Sequence, residues 1–166
     1  MSDALEPNTS IGKALDRAVT SLTRSPCTRA RLIERLTKQG FTEQTASDAC
    51  DELERLGYQS DHAIAESVVR GVLSMGPAGK RLLMMRLRAR GVPNEIAEQV
   101  VSVALEGTDA LEAAVEAAQK KMRSMPPSMD KQVVVRRVSS YLARRGMDSG
   151  VCHEAVRRAW AERESS

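Results

Sequence analysis

Three glycines spaced about 50 residues apart constrain the fold of this chain more than any other feature. Gly40, Gly91 and Gly146 are separated by 51 and 55 residues. Apolar side chains recur eight residues before, four residues before and one residue after each glycine: Leu32, Leu83 and Val138, then Leu36, Leu87 and Leu142, then Phe41, Val92 and Met147. Glycine is the usual left-handed residue that ends a helix, and a spacing of four places side chains on one helix face. The pattern predicts three copies of one helical unit.

Helical periodicity before and after each glycine places three helices in every copy. We therefore predict an all-α fold of three tandem three-helix repeats, at 10–58, 59–107 and 108–162, with frayed tails at 1–9 and 163–166. A unit of about 50 residues buries little surface alone, so the copies are expected to pack end to end in an elongated, curved array. A single compact nine-helix globule and a series of two-helix solenoid repeats remain alternatives.

Local signals predict where several helices begin. Ser10, Thr42, Thr108 and Asp148 have side chains that suit N-cap positions. Pro26 is expected in the first turn of the second helix, where its missing N–H costs nothing.

The composition limits the kind of core and the cellular compartment. Two Tyr, one Phe and one Trp are too few for an aromatic core, so an aliphatic interior is predicted. The three cysteines form no C-x-x-C pair, which favours reduced thiols. No apolar run approaches the roughly 20 residues that a membrane span requires, and no secretory signal pattern is present at the start. These observations predict a cytoplasmic protein without membrane contact.

Basic residues are concentrated in the middle helix of each copy, whereas the third helices of the first two copies are acidic. The net charge of +3 says little, but this distribution predicts a basic face in every copy. Its residues are Arg29, Arg31, Arg35 and Lys38, then Lys80, Arg81, Arg86, Arg88 and Arg90, then Lys131, Arg136, Arg137, Arg144 and Arg145. One interpretation is a solvated surface whose bases complement the helix dipole. The other is a surface that binds phosphates or an acidic protein; few aromatics are available to stack on bases.

The sequence does not predict catalysis or a cofactor. Gly76-Pro-Ala-Gly-Lys-Arg81 contains a Gly-Lys pair but lacks the spacing and hydroxyl of a phosphate-binding loop, so a helix break is predicted. Cys152 and His153 are adjacent and have no further ligand pair, so no metal site is predicted. A nucleophile would need a placed base, and the chain has two histidines. We therefore expect a protein that is not an enzyme.

The motifs around the glycines resemble those of the RecX family of bacterial regulatory proteins. The similarity lies in Leu36-Thr-Lys-Gln-Gly-Phe-Thr-Glu-Gln-Thr-Ala, Leu53-Glu-Arg-Leu-Gly-Tyr-Gln-Ser-Asp, Leu87-Arg-Ala-Arg-Gly-Val and Tyr141-Leu-Ala-Arg-Arg-Gly-Met, and it covers residues 11–162. Ile64 and Met147 stand where the family usually has an aromatic residue. The resemblance implies an all-helical array of three-helix repeats. It also implies a modulator, mainly an inhibitor, of the RecA recombinase that lies in the groove of the RecA–DNA filament and limits its extension. DNA repair, homologous recombination and the SOS response are the implied context.

Three functions are therefore compatible with the residues. The first is a monomer that binds the RecA filament, with single- or double-stranded DNA as a further partner through phosphate contacts. The second is a general DNA-binding or architectural helical protein. The third is a scaffold for protein interactions that binds neither.

Overall fold

The computed structural model describes residues 8–165, which form nine α-helices and no β-strand. The helices are α1 (Ile11–Arg24), α2 (Arg29–Lys38), α3 (Glu43–Arg55), α4 (Asp61–Leu73), α5 (Lys80–Arg90), α6 (Asn94–Leu105), α7 (Ala110–Arg123), α8 (Lys131–Arg144) and α9 (Ser149–Glu164). The predicted all-α fold with three-helix repeats is confirmed. Each of the three glycines follows a middle helix, α2, α5 or α8, and has a positive φ of 93°, 79° and 79° in chain order.

Two compact units divide the described chain. The first contains residues 8–67 and Arg88–Ala97, and the second contains Val68–Leu87 and residues 98–165. Each has its own aliphatic core, as predicted: Leu32 and Leu36 are fully buried in the first, and Val138 and Leu142 in the second. The repeat boundaries and the elongated, curved arrangement stay predictions.

The structure corrects two predicted helix starts and confirms three others, including Asp148, which lies at the N-cap position of α9 without a side-chain hydrogen bond. Thr28 lies at the N-cap of α2, whose first residue is Arg29. Pro26 therefore precedes the helix instead of forming its first turn. Asp109, not Thr108, caps α7, because its carboxylate accepts the N–H groups of the two first-turn residues 111 and 112. Ser10 and Thr42 cap α1 and α3 as predicted.

The predicted tails are more ordered than expected where the structure describes them. Asn8 donates its backbone N–H to the Gly40 carbonyl at 2.9 Å and pairs with Phe41 in an isolated parallel bridge. At the other end, Arg163 is part of α9 and donates to the carbonyls of Met122 and Pro126 at 3.2 and 3.1 Å. The remaining tail positions, 1–7 and 166, lie outside the described residues.

The middle helix of the third copy is one turn longer than its counterparts. Helices α2 and α5 each begin 11 residues before their glycine, whereas α8 begins 15 residues before Gly146. The four extra residues account for the spacing of 55 in place of 51 and correspond to about one helical turn. In the added turn, Val134 is fully buried.

A hydrogen bond between equivalent positions joins successive copies within each unit, and we call this contact the joint. In the first unit, the Thr28 hydroxyl donates to the Arg90 carbonyl at 3.2 Å. In the second unit, the backbone N–H of Gly79 donates to the Arg145 carbonyl at 2.9 Å. Thr28 and Gly79 both immediately precede a middle helix, and both acceptors immediately precede a corner glycine. A repeated contact at equivalent positions is typical of stacked repeats.

Backbone approaches very closely at the second joint. A Cβ atom on Gly146 would lie 2.4 Å from the Leu82 nitrogen, and one on Gly79 would lie 2.1 Å from the Gly146 carbonyl oxygen. The first joint is less tight, since a Cβ on Gly91 would lie 3.2 Å from the Thr28 hydroxyl oxygen. Gly79 in the helix break and Gly146 at the corner therefore permit close packing of copies, a role that the sequence alone did not reveal.

Candidate functional site

Two of the predicted surface arginines bind carbonyls of the next copy instead of facing solvent alone. Arg31 donates to the Ala89 carbonyl at 3.1 Å, and Arg81 donates to the Ala143 carbonyl at 2.6 Å. Both acceptors lie in the last turn of the next copy's middle helix, where carbonyls lack intrahelical partners. A guanidinium there also complements the negative end of the helix dipole. These arginines stabilise the joints.

Arg145 is the most extensively bonded of the predicted site residues. Its guanidinium donates to the Pro77 carbonyl at 2.7 Å, to the Val72 carbonyl at 3.2 Å and to the Gly76 carbonyl. These acceptors are the carbonyls at and after the end of α4. Arg145 therefore fixes the 76–79 segment on the third copy, and its side chain is not available to a ligand without breaking these bonds.

In the first copy, the basic residues of α2 are largely satisfied within the first unit. Arg29 pairs with Asp51 of α3 at 2.8 Å, and Arg35 donates to the Ser21 hydroxyl at 3.1 Å. Lys38 pairs with Glu34 at 2.6 Å, and this contact lowers the pKa of the Glu34 carboxyl. The acidic third helix thus neutralises part of the basic middle helix beside it.

Two predicted lysines are also paired. Lys80 lies 2.6 Å from the Glu98 carboxylate. Lys131 lies 3.5 Å from the Glu164 carboxylate, and its ammonium group sits 5.0 Å above the centre of the Trp160 ring. Such exposed pairs are worth little in stability, but they reduce the charge presented to a partner.

Six of the fourteen predicted residues are exposed arginines that neither pair with a carboxylate nor donate to a carbonyl within residues 8–165: Arg86, Arg88, Arg90, Arg136, Arg137 and Arg144. Arg88 and Arg90 belong to the first unit and the other four to the second. Arg137 contacts only the Met129 sulfur, at 3.8 Å. These six positions are the members of the predicted basic face whose guanidinium groups remain unpaired, and the binding role of the face stays a prediction.

Three of these arginines line one concave surface, which we call the basic groove. It has a volume of about 470 Å³ and lies between α8 and the end of α7 with the loop that follows it. Its lining comprises Lys121, Ser124, Met125, Pro126, Met129, Arg136, Arg137, Ser140 and Arg144. No acidic side chain is among these described residues, so four cations face a shared space without a counter-charge.

Lys121 is the member of the basic groove that sequence reasoning missed. It lies in the last turn of α7 together with Lys120 and Arg123. Helix α7 is the first helix of its copy and is not part of the predicted basic face. The sequence does show a cluster of basic residues at the C-terminus of this helix. The helix dipole favours the same cluster, so it does not by itself indicate a binding site. Only the packing of α7 beside α8 shows that Lys121 shares a surface with the arginines.

The cysteines and the other metal-ligand residue types of residues 8–165 form no metal-binding cluster. All three cysteines are free and buried. Burial raises the pKa of the Cys50 thiol to about 11 and also raises the pKa values of Cys27 and Cys152. No group of three or more His, Cys, Asp or Glu residues in this range could hold a metal ion. None of its helices is long and apolar enough to cross a membrane.

The described chain is therefore a protein of three-helix repeats that carries unpaired arginines on α5 and α8 and one groove lined by four cations. The family described as RecX, second three-helix domain, matches residues 60–101. Regulatory protein RecX from Chromohalobacter salexigens is 35% identical over 147 residues, which cover 87% of this chain and 91% of that protein. Regulatory protein RecX from Chlorobaculum tepidum is 31% identical over 144 residues, covering 87% and 86%. This chain belongs to the RecX family of regulatory proteins, as the sequence motifs predicted.

Solved structures support the fold independently. The crystal structure of RecX from Lactobacillus salivarius superimposes with a TM-score of 0.75 over 90% of this chain and 96% of that chain, at 19% identity. A second crystal structure, of a regulatory protein RecX, gives a TM-score of 0.68 over 89% and 71%, at 21% identity. At these identities the likeness is one of fold, and it places the repeats in the RecX architecture.

Proposed function

We propose that this protein regulates the RecA recombinase by binding in the groove of the RecA–DNA filament and limiting filament extension. The observation that supports it most is the similarity to proteins named regulatory protein RecX over more than four fifths of the chain. The proposed role is inhibition during DNA repair and homologous recombination, including the SOS response. The protein would act in the cytoplasm as a monomer, without a cofactor.

The distribution of free charge is consistent with this role. Each unit presents arginines that lack a carboxylate partner: Arg88 and Arg90 in the first, and Arg86 with the basic groove in the second. A DNA filament coated with protein offers phosphates and acidic side chains, and unpaired guanidinium groups recognise both. The proposed contact residues are these six arginines and Lys121. The other predicted residues pair with carboxylates or donate to hydroxyl or carbonyl oxygens within the chain.

A titration of RecA activity tests the proposal. Purified protein should inhibit the DNA-dependent ATPase of RecA and strand exchange at or below one molecule per RecA protomer. The variant Arg86→Gln/Arg88→Gln/Arg90→Gln should inhibit less, because the charge facing the filament is reduced while the buried side chains of α5 are retained.

The matched control removes the same charge from another helix. Lys13, Arg17 and Arg24 are exposed cations of α1, and their replacement by Gln should leave inhibition unchanged. If the unmodified protein leaves ATPase and strand exchange unaltered over a wide range of ratios, the proposed regulation of RecA is wrong for this chain.

A further inference from the structure

We infer that an apolar pocket beside the second joint binds a compact apolar molecule that carries one ammonium group, an arylalkylamine in its simplest form. The pocket lies within the second unit and has a volume of about 250 Å³. We call it the joint pocket. It requires neither RecA nor a nucleic acid and shares no lining residue with the basic groove, so the inference goes beyond the proposed function.

The joint pocket lies between two copies. One side is built by the end of α4, the break that follows it, the start of α5 and the end of α6. The other side is built by the start of α7 and the corner between α8 and α9. A ligand in this space therefore contacts the second and the third copy at once, and its binding stabilises their packing.

Small side chains account for the empty space. Counted from the corner glycines, Ala104 of α6 corresponds to Leu53 of α3, which is 1% exposed in the core of the first unit. In the second unit this alanine, together with Ala110 and Ala113, contributes only a methyl group to the lining. The close backbone contact of the joint forms another part of the wall and prevents the copies from approaching further to fill the space.

The character and size of the pocket suit an apolar ligand. Its lining is apolar or glycine except for Lys80, Thr108 and Asp148, and these three side chains are exposed, so they stand at the opening. A water molecule in a cavity needs about two to four polar partners, which the apolar walls do not supply. An apolar cavity of about 150 Å³ holds benzene, so the larger joint pocket has room for a ring with a short side chain.

The charges at the opening favour a cation on that side chain. Lys80 already pairs with the Glu98 carboxylate at 2.6 Å. Asp148 lies at the N-cap position of α9, but its carboxylate accepts no N–H group there and pairs with no base within residues 8–165. An ammonium group at the opening supplies the missing partner, whereas a ligand carboxylate meets repulsion from Asp148. The pocket therefore selects an amine over a neutral or acidic molecule of the same shape.

Titration of the full chain without RecA tests the inference, followed by amide NMR and by thermal unfolding. The probes are phenethylamine, phenethyl alcohol and phenylacetate, which share a phenyl ring and differ in their terminal group. Phenethylamine should bind with a dissociation constant on the order of 1 mM and shift the amide signals of Gly79, Ala113 and Gly146. At about 10 mM it should raise the Tm by about 3–6 °C. The alcohol should bind about 2–5-fold more weakly, and phenylacetate more weakly still.

Two variants separate the charge from the space. Asp148→Asn keeps a side chain that suits an N-cap, so it should lower the affinity for phenethylamine to that of the alcohol and leave the alcohol unaffected. Ala104→Leu introduces the residue of the first copy and fills the pocket, so all probes should lose at least about tenfold in affinity. Ala161→Leu, on an exposed position of α9, is the matched control and should bind as the unmodified protein does. Because Asp148→Asn changes no volume, it tests the inference even where Ala104→Leu disturbs the packing.

Several outcomes would overturn the inference. If about 10 mM of any probe leaves the amide signals of the lining residues in place, the pocket does not take an apolar ligand. Phenylacetate binding as tightly as phenethylamine, or unchanged amine affinity in Asp148→Asn, would refute the assignment of a cationic ligand. Equal loss in Ala104→Leu and Ala161→Leu would place the binding outside the pocket. These measurements contain no RecA, so their failure and a failed RecA titration are distinguishable.

Discussion

Replacing Gly146 by alanine tests the close packing of the second joint. Gly146 has a φ of 79°, a conformation that costs a residue with a Cβ atom about 1 kcal/mol. The new Cβ would also lie 2.4 Å from the Leu82 nitrogen and 2.7 Å from the Leu82 Cβ. Overpacking of this kind typically costs a further 1–3 kcal/mol, roughly, because the backbone must move. We expect Gly146→Ala to lower the free energy of unfolding by about 2–4 kcal/mol.

The other corner glycines provide matched controls. Gly40 has a φ of 93°, and a Cβ there would meet no atom within 4 Å. Gly40→Ala should therefore lower the free energy of unfolding only by the cost of the positive φ, about 1 kcal/mol. Gly91 has the same φ as Gly146, and its Cβ would lie 3.2 Å from the Thr28 hydroxyl oxygen. Gly91→Ala should therefore fall between the two.

Urea unfolding followed by far-UV circular dichroism measures all three variants. The midpoint should decrease in the order Gly40→Ala, Gly91→Ala, Gly146→Ala, and the slope m should be unchanged if each transition is two-state. Equal destabilisation by the three substitutions would refute the reasoning, because it would mean that only the positive φ matters and that the joint is not tightly packed in solution.

Two further predictions concern charged side chains. Arg145→Met should lower the free energy of unfolding by about 2–4 kcal/mol in the same urea assay. The substitution removes the hydrogen-bond donors of three carbonyls but keeps an apolar side chain in place of the arginine stem. A decrease below about 0.5 kcal/mol would contradict this structural role of Arg145. Hydrogen bonds from Arg157 and Arg158 lower the pKa of Glu154 from 4.5 to about 2, so the stability that this carboxylate contributes is present above pH 4.5 and is lost as the pH falls towards 2. NMR titration should show the pKa of Glu154 returning towards 4.5 when both arginines become Gln, and a pKa that stays near 2 would show that other groups set it.

Much of the fold could be predicted because it depends on short-range periodicity. The spacing of Leu32, Leu36 and Gly40 is a local pattern, and a helix with one apolar face must bury that face whatever lies opposite. The three helices per copy, the left-handed glycines and the aliphatic core therefore followed directly from the residues. The caps were less certain, because Thr108 and Asp109 are adjacent and both suit an N-cap.

The candidate site could be predicted only in part, because pairing is decided by distant residues. Arg31 and Arg86 look alike in the sequence, yet Arg31 bonds to a carbonyl 58 residues away and Arg86 has no partner among the described residues. Arg81 likewise reaches a carbonyl 62 residues away. No local pattern encodes such contacts. The longer α8, by contrast, could have been inferred from the spacing of 55 residues between Gly91 and Gly146.

The joint also limits how the series of copies can be extended. Val134 occupies in the third copy the position that Thr28 and Gly79 occupy in the first two, but it lies inside α8, where its N–H is already donated to Asp130 at 3.0 Å. A fourth copy would find no free donor there. At the first corner, the backbone N–H of Asn8 donates to the carbonyl of Gly40, one residue after the position of the joint acceptors Arg90 and Arg145. Adding a copy after the third one would therefore require a donor other than the Val134 N–H.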